Sequence, residues 1–259
     1  MKLFVISDIH GYYDEMITAL NEAGFDPENE NHMLVTCGDH FDRGTQPGLV
    51  MKYLRNLPRK VLVRGNHEQL LEELCERGFS HSYDYSNGTV STVNALGWSV
   101  GDDFYEQCNY VSKRVKPFFN EMVDYFETEN YIFVHSWVPL INRDGLPAHY
   151  TRGRKFKFNP DWRNASRQEC EDARWGNPFD LASKGLLPDK TIVFGHRHCS
   201  TGWAQKEGLS EFDDDAKFDI FYGDGFISID ACTAHTGKVN VLVLEDNLLN
   251  GADESCNTN

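Results

Sequence analysis

Basic residues are scarce in this chain of 259 residues, which has 25 lysines and arginines against 40 aspartates and glutamates. The formal charge of −15 argues against electrostatic binding of nucleic-acid backbones over a broad surface, because such binding needs a positively charged protein surface. A nucleic acid is therefore not expected as a partner. One dense basic patch, TRGRKFK at residues 151–157, is interpreted as a solvated loop, with a wall for an anionic substrate as the alternative.

Paired cysteine motifs and long apolar runs are both missing. The seven cysteines are an odd number without a CxxC pair, which fits neither a disulfide framework nor a zinc ribbon, so a reducing compartment is expected. The apolar run before Ser7 is too short for the core of a signal peptide, and no run approaches the roughly 20 apolar residues that a membrane span requires. We therefore expect a cytoplasmic protein with no membrane partner.

Short apolar runs rich in β-branched residues predict five buried strands. Each run meets Gly, Asp, Asn or His within a few residues, as expected where a strand ends in a loop. The runs are residues 3–6, 33–35, 61–63, 131–134 and 192–194. Helices are predicted over residues 12–23, 47–55, 68–77 and much of 103–126. Strands that alternate with helices indicate an α/β layered sheet.

The chain is predicted to form a single domain over residues 1–247, followed by a flexible tail over 248–259. Residues 137–189 have no strong strand and several prolines, which indicates a loop-rich, partly helical insertion over the active edge. Near the end, the apolar runs 226–229 and 239–244 flank a turn-like stretch at 233–237, so a closing β-hairpin is expected. The acidic run 213–215 is interpreted as a solvated loop.

A cluster of potential metal ligands follows each of the five predicted strands. The clusters are SDIHG with Asp8 and His10, CGDHFDRG with Asp39, Asp42 and Arg43, RGNHE with Asn66 and His67, VHSW with His135, and FGHRH with His196 and His198. One such residue near a strand end is usually a turn or capping residue. Five clusters in succession indicate one shared centre, because the loops beyond the carboxyl ends of strands in a layered α/β sheet converge on one crevice.

The candidate ligands are carboxylates, imidazoles and one amide oxygen. This mixed set suits Mn²⁺, Fe or Zn²⁺ better than a thiolate-selected metal or an all-oxygen Ca²⁺ site. A carboxylate such as Asp39 can bridge two cations about 3.5–4 Å apart, which clamp the attacking and departing oxygens of an in-line displacement at phosphorus. The expected cofactors are therefore two divalent metal ions, with Mn²⁺ as the first choice.

These motifs resemble the signature set of the calcineurin-like metallophosphoesterases. The Arg of DRG and the Glu of GNHE resemble the phosphoprotein phosphatase branch, notably the phage lambda-type serine/threonine phosphatases. Motif order and approximate spacing agree over about residues 3–200, so the resemblance covers most of the chain. It implies a two-sheet β-sandwich flanked by helices, with the metals at the sheet edge. It also implies a hydrolase that acts on phosphoserine, phosphothreonine or small phosphate esters.

The resemblance further implies a role for each matching residue. Asp8 and His10 would hold the first metal, Asp39 would bridge, and Asn66, His135 and His196 would hold the second. A metal-bridging hydroxide would attack phosphorus with His67 as general acid, aligned by Asp42, because an imidazole can protonate a departing alkoxide and a carboxylate fixes its tautomer. Arg43 and Arg64 would make bidentate hydrogen bonds to the phosphate oxygens.

Two positions depart from the pattern of the phosphatase branch. The candidate for a later phosphate-binding arginine is Arg174, which precedes Trp175 in ARWGNP. His198 in GHRH matches the wider phosphoesterase family, in which this histidine completes the shell of the first metal, so a ligand role and a supporting role both stay open. His40 and His235 are interpreted as structural or exposed residues.

Two further functions stay open as alternatives. Hydrolysis of a diadenosine polyphosphate or another nucleotide phosphodiester would use the same dinuclear centre, although relatives of that kind carry GNHD where this chain has Glu68. A non-catalytic metal-dependent binding module is the other alternative, and the intact pair of His67 and Asp42 disfavours it. The expected partner is a phosphorylated protein or a small phosphate ester.

Overall fold

The computed structural model describes residues 1–142, 155–208 and 210–249. Its strands are, in chain order, β1 (Lys2–Ile6), β2 (His32–Cys37), β3 (Lys60–Val63), β4 (Tyr125–Glu127), β5 (Tyr131–Val134), β6 (Leu140–Asn142), β7 (Phe156–Phe158), β8 (Thr191–Phe194), β9 (Phe221–Gly223), β10 (Phe226–Ser228) and β11 (Leu242–Glu245). Its α-helices are α1 (Tyr13–Glu22), α2 (Pro47–Asn56), α3 (Asn66–Arg77), α4 (Ser82–Asn87), α5 (Thr89–Gly97), α6 (Phe104–Phe119), α7 (Arg167–Ala173), α8 (Pro178–Ser183), α9 (Cys199–Glu207) and α10 (Thr233–Thr236).

The first sheet has the strand order β11-β1-β2-β3, with β1, β2 and β3 parallel and β11 antiparallel to β1. Alternate side chains of each strand point to opposite faces and enter two different apolar clusters. Phe4 and Ile6 of β1 pack with Met16 of α1 on the helical side. Leu3 and Val5 pack against the second sheet. Burial on both faces explains why these strands are nearly continuous apolar runs.

The second sheet has the order β4-β5-β8-β10-β9, with a parallel centre formed by β5, β8 and β10. Its inner face contributes Phe133, Val193 and Ile227 to the cluster between the sheets. On its outer face, Phe194 packs with Phe179 of α8. The two stacked sheets with helices outside confirm the predicted α/β layered sandwich.

The carboxyl ends of six parallel strands meet at one edge of the sandwich, because the loops that follow them are in contact. The backbone N–H of Gly195 donates to the carbonyl oxygen of His135 at 2.9 Å, which joins the ends of β5 and β8. The backbone N–H of His196 donates to Asp8 Oδ2 at 3.0 Å, which joins the second sheet to the first. All five predicted ligand clusters lie along this edge.

The five predicted strands are present as β1, β2, β3, β5 and β8, and the four predicted helices correspond to α1, α2, α3 and α6. α6 fills much of the predicted range 103–126; it ends at Phe119, and the chain then enters β4. Helices α4 and α5 were not predicted. Their sequences, SYDYSN and TVSTVNALG, are rich in residues with low helix propensity, so packing against neighbouring helices favours them more than propensity does.

The predicted closing β-hairpin is wrong. β10 pairs with β8 and β9 in the second sheet, whereas β11 pairs with β1 in the first, so the chain crosses from one sheet to the other. The stretch between them forms the short helix α10, which follows Cys232 at φ 53°. An apolar run shows that a strand is buried, but it does not identify the neighbour with which the strand pairs.

Residues 137–189 contain more regular structure than predicted. β6 and β7 form a two-stranded antiparallel sheet in which Leu140 pairs with Phe158, and α7 and α8 follow. The acidic run 213–215 is exposed, as expected. Residues 151–154 of the basic patch, and all but two residues of the predicted tail, lie outside the described residues. Of the helices in the described ranges, none has the length and apolar character needed to cross a membrane.

Candidate metal centre

Backbone strain is concentrated at the edge where the parallel strands end. Within the described ranges, seven residues other than glycine have a positive φ. A left-handed conformation costs an L-residue roughly 1–2 kcal/mol, so it persists only where the surrounding structure enforces it. Six of these residues are predicted site residues, with φ between 49° and 71°: Asp8, His10, Asp39, Asp42, Arg43 and His196. These strained turns direct the polar side chains that follow the buried strands toward one crevice.

His10 and two carboxylates form one side of this crevice. The Nδ1 atom of His10 donates to the carbonyl oxygen of Phe41 at 2.9 Å, so Nε2 carries the lone pair that can bind a cation or accept a hydrogen bond. Nε2 lies 3.8 Å from Asp39 Oδ2 and 4.0 Å from Asp8 Oδ1. Burial, and then the nearby His67, hold the pKa of His10 well below its ordinary value. The imidazole is therefore neutral, as a metal ligand must be.

A second group of potential ligands lies on the other side of Asp39. His135 Nδ1 donates to the carbonyl oxygen of Cys37 at 2.8 Å, which leaves Nε2 as an acceptor. That Nε2 lies 2.7 Å from Asn66 Oδ1 and 3.4 Å from Asp39 Oδ1. His196 Nδ1 lies 3.1 Å from both His135 Nε2 and Asn66 Oδ1. Burial, followed by His135, keeps the pKa of His196 well below its ordinary value.

These two groups fit metal cations. The acceptor atoms of Asn66 and His135 face each other at 2.7 Å, an approach that a cation coordinated by both would stabilise. Burial, followed by Asp230 and Asp39, raises the pKa of Asp8 well above its ordinary value, which is the situation that a nearby cation relieves. Two sets of ligand atoms, each within 4.8 Å of one another, could hold a metal ion: those of His10, Asp39 and His67, and those of Asp39, His135 and His196.

Asp39 belongs to both sets. Its Oδ2 faces His10 and its Oδ1 faces His135. Oδ1 also accepts a hydrogen bond from the backbone N–H of His67 at 3.0 Å. Burial would raise the pKa of Asp39, but the surrounding imidazoles, that of His135 first, lower it, so the carboxylate is ionised. Gly65 permits this close approach, because a Cβ atom at Gly65 would collide with Asp39 Oδ1.

His67 and Asp42 form a hydrogen-bonded pair at the rim of the crevice. His67 Nδ1 donates to Asp42 Oδ2 at 2.7 Å, so the other ring nitrogen, Nε2, points away from Asp42. Burial alone would lower the pKa of His67, but the carboxylates of Asp39 and Asp42 raise it above its ordinary value. Thr89 Oγ1 donates to Asp42 Oδ2 and Thr92 Oγ1 to Asp42 Oδ1, each at 2.8 Å. These two threonines of α5 were not predicted, because nothing local marks them.

The structure brings Arg43 to the crevice. Its Nη1 lies 2.8 Å from His10 Nε2 and its Nη2 lies 3.3 Å from His67 Nε2, so the guanidinium spans the space between the two imidazoles. Arg43 is otherwise exposed, and its backbone packs closely against Gly88 at the start of α5. A planar cation at this position is suited to bind two oxygens of a phosphate.

The other two predicted arginines are paired with carboxylates. Arg64 forms an ion pair with Glu72 of α3, and its guanidinium carbon lies 5.3 Å from the centroid of the Phe119 ring. Arg174 is buried and forms an ion pair with Asp124. Unlike the guanidinium of Arg43, those of Arg64 and Arg174 therefore do not lie beside the imidazoles. Contact of Arg64 and Arg174 with phosphate stays a prediction.

His40 and Glu68 lie fully buried behind the crevice and join two of its loops. Glu68 Oε2 accepts the backbone N–H of Asp39 at 3.0 Å and that of Gly65 at 2.8 Å, and Oε1 accepts that of His40 at 2.8 Å. His40 Nδ1 lies 3.1 Å from Glu68 Oε1, and its Nε2 lies 2.7 Å from Thr36 Oγ1. The interpretation of His40 as a structural residue agrees with this network, and the anchoring role of Glu68 was not predicted.

His198 lies beside the centre but outside both ligand sets. Its ring is half-buried and packs on Phe212, with 5.2 Å between the ring centroids. Asp230 is buried nearby, and it follows β10 just as Asp8 follows β1. The same signal, an apolar run ending in Asp, marked both residues, but only Asp8 was singled out. His235 is exposed, with its ring 5.6 Å from that of Phe218.

Buried carboxylates and neutral imidazoles at the joined edge of two stacked sheets define a metal-binding α/β sandwich. The chain belongs to the calcineurin-like phosphoesterase family, whose model matches residues 1–224. This membership confirms the resemblance that the five motifs carry.

Relatives with two different names match parts of the chain. Serine/threonine-protein phosphatase 2 of Escherichia coli K12 is 34% identical over 86 residues, which are 33% of this chain and 38% of that protein. The symmetrical bis(5'-nucleosyl)-tetraphosphatase of Klebsiella pneumoniae is 39% identical over 69 residues, 26% of this chain and 24% of that protein. The matches thus span less than half the length of these relatives. A crystal structure of a putative diadenosine tetraphosphatase superposes with a TM-score of 0.52 and 15% identity, covering 96% of this chain and 95% of that one, and shows the shared fold.

Proposed function

We propose that this protein is a metal-dependent phosphomonoesterase that acts on phosphoserine and phosphothreonine in proteins. The observation that carries the proposal is the position of Asp39, whose two oxygens face two different groups of ligands beside the pair of His67 and Asp42. A carboxylate shared in this way suits two cations, and two cations suit displacement at phosphorus. The buried cysteines, which are unpaired among the described residues, support a reducing cytoplasmic compartment.

In this proposal the ligands divide between two cations, with Mn²⁺ preferred and Fe or Zn²⁺ as alternatives. The first would be held by Asp8, His10 and Asp39, and the second by Asp39, Asn66, His135 and His196; His198 would support the first site directly or through Asp230. When bound, the metal pair supplies activation of a water molecule and neutralisation of charge at phosphorus.

The chain's own groups would handle the proton and the phosphate. Protonated His67 would donate from Nε2 to the departing serine or threonine oxygen, since Nδ1 is held by Asp42 at 2.7 Å. The raised pKa of His67 favours its acid form. Arg43 would bind the phosphate oxygens, and Arg64 would join it after leaving Glu72. Arg174, paired with Asp124, would be the later phosphate contact once it leaves that carboxylate.

The test compares substrate classes on one metal-reconstituted enzyme. Phosphopeptides, small phosphomonoesters, bis-phosphodiesters and dinucleoside polyphosphates are assayed in parallel with Mn²⁺, Fe²⁺ and Zn²⁺. We expect the highest kcat/KM for phosphoserine or phosphothreonine peptides. A higher kcat/KM for dinucleoside polyphosphates would contradict the proposed substrate and support the alternative on the same centre. Lack of hydrolysis of every class at full metal content would contradict an enzymatic role.

A further inference from the structure

An apolar cavity of about 280 Å³ lies between β6, β7, α7 and α8. Its walls include Trp137, Val138, Phe156 and Leu181, and two carboxylates, those of Glu169 and Asp172, also line it. The cavity is small for a whole ligand, since pockets for such molecules usually measure about 300–1,000 Å³. Its size and lining suit a single large apolar side chain.

Hydrogen bonds attach the cavity wall to the loops of the candidate metal centre. Trp137 follows His135 by two residues, a span of at most about 7 Å. Ser136 Oγ, between them, donates to the carbonyl oxygen of Gly176, which lines the cavity. Trp175, the neighbour of Gly176 in the chain, donates from Nε1 to Gln69 Oε1 of α3, the helix that begins with Asn66 and His67. The cavity therefore has a fixed position relative to the ligand residues.

The charges of the lining select among possible occupants. Asp172 and Glu169 are both on α7, while Lys184 places its Nζ 5.9 Å from the centroid of the Phe156 ring. The lining itself therefore contributes two carboxylates, while Lys155 and Lys157 flank Phe156 in the sequence. An apolar group flanked by a positive charge that faces these two carboxylates is favoured here.

We propose that this cavity binds an apolar side chain of the phosphorylated protein substrate, a few residues from the phosphorylated serine or threonine, with a neighbouring lysine or arginine facing Glu169 and Asp172. The inference rests on the proposed function and adds a sequence preference to it. The preference for Leu or Phe over Ala would come from burial of the larger apolar side chain. Trp137 provides a rigid wall, because its Nε1 donates to the carbonyl oxygen of Leu186 at 3.0 Å.

The first experiment measures kcat/KM of the Mn²⁺-reconstituted enzyme on a phosphopeptide set in which each position near the phosphoserine carries Ala, Leu or Phe. We expect one position to prefer Leu or Phe over Ala by about tenfold to hundredfold. Ala173→Phe, which fills the cavity, should abolish this preference. Its turnover of p-nitrophenyl phosphate, a substrate too small to reach the cavity, should equal that of the unmodified protein, which also verifies folding.

A second variant tests the charges. Asp172→Lys should lower kcat/KM for peptides with Arg beside the apolar residue, whereas Glu171→Lys, on the same helix but outside the cavity lining, should not. Efficient phosphopeptide hydrolysis without any positional preference, or a preference that survives Ala173→Phe, would overturn the cavity assignment and leave the proposed function standing. Hydrolysis of dinucleoside polyphosphates but of no phosphopeptide would overturn both.

Discussion

Asp39 combines a strained backbone, a buried charge and contacts to both ligand groups in one residue. Its φ is 56°, its carboxylate is almost inaccessible, and its oxygens face imidazoles on opposite sides. Such a conformation is expensive for an L-residue unless its side chain is fixed by the surrounding structure. The hydrogen bonds that the Asp39 N–H donates to Glu68 and that the His67 N–H donates to the Asp39 carboxylate supply that restraint.

Asp39→Asn tests the shared carboxylate. A neutral amide bridges two dications poorly, so the metal content should fall toward one ion or none, and hydrolysis should be abolished. Elemental analysis of the purified variant measures the first effect and turnover measures the second. Two tightly held metals with near-normal turnover would contradict the dinuclear assignment. Asp14→Asn, on the exposed side of α1, is the control and should change neither quantity.

His67→Asn tests the general acid. Metal content should survive, because His67 is held by Asp42 at the rim rather than by the Asn66 and His135 group. A positioned acid contributes roughly 10²–10⁴-fold, and poor leaving groups need it most, so alkyl phosphates should lose far more activity than aryl phosphates. Rates on phosphoserine and p-nitrophenyl phosphate give the comparison. Equal losses, or loss of metal, would make His67 a ligand instead, as its place in one of the potential ligand sets allows.

The pH profile tests the role of Asp42. The acid form of His67 is required and is lost as the pH rises through its pKa, so the raised pKa extends activity toward alkaline pH. Asp42→Asn removes one of the carboxylates that raise this pKa, and the alkaline limb of kcat should therefore move to lower pH. The shift should be seen with alkyl phosphates more clearly than with aryl phosphates. An alkaline limb that stays in place would show that another group controls it.

At the scale of elements, the loops that follow β2 and β3 are joined by one side chain of α3. Glu68 accepts three backbone N–H groups, those of Asp39, His40 and Gly65. Burial would raise the pKa of Glu68, but the side chain and the backbone N–H of His40 lower it to about 2. An ionised carboxylate without access to water is thus satisfied by donors from both loops.

Glu68→Gln should loosen this junction. The amide NH₂ of Gln would face backbone donors, so at least one buried N–H loses its partner, at a cost of about 1–3 kcal/mol in the free energy of unfolding. Urea unfolding at neutral pH measures this loss. The ionised form stabilises the fold above pH 4.5 and loses that effect as the pH falls toward 2, so the difference between variant and parent should shrink in that interval. Glu73→Gln, on the exposed face of α3, is the matched control, and an equal loss there would contradict the role of Glu68.

Sequence patterns predicted the elements that present the candidate site better than those that enclose it. Asp8 and His135 could be found because each follows a short apolar strand, and parallel strands bring such ends together. Thr89 and Thr92 could not be found, since their contact with Asp42 depends on how α5 packs over 40 residues later in the chain. The strand after residue 239 was assigned to the wrong sheet for the same reason. Its apolar pattern records burial but not the pairing partner.

At the scale of the whole molecule, the candidate centre joins the two sheets of the sandwich. The potential ligands that follow strands of the first sheet are Asp8, His10, Asp39 and Asn66, and those that follow strands of the second are His135 and His196. Apolar side chains of both sheets, among them Val5, Phe133 and Val193, form the cluster between the sheets. Cations at the edge would therefore add a polar connection where the apolar interface ends.

Metal removal should therefore lower the thermal stability of the whole domain. Cations that bind only the folded state stabilise it by mass action, by about 2.7 kcal/mol at a free concentration of one hundred times Kd. In a domain of this size each kcal/mol shifts Tm by roughly 2–4 °C, so chelation should lower Tm by about 5–10 °C. Calorimetry before and after EDTA treatment, with elemental analysis of both samples, measures the shift, and re-addition of Mn²⁺ should restore it. His196→Ala, which removes a second-sheet ligand, should reduce the metal-dependent part of Tm, whereas the exposed His235→Ala should not. If the metals leave and Tm does not change, the centre does not join the two sheets.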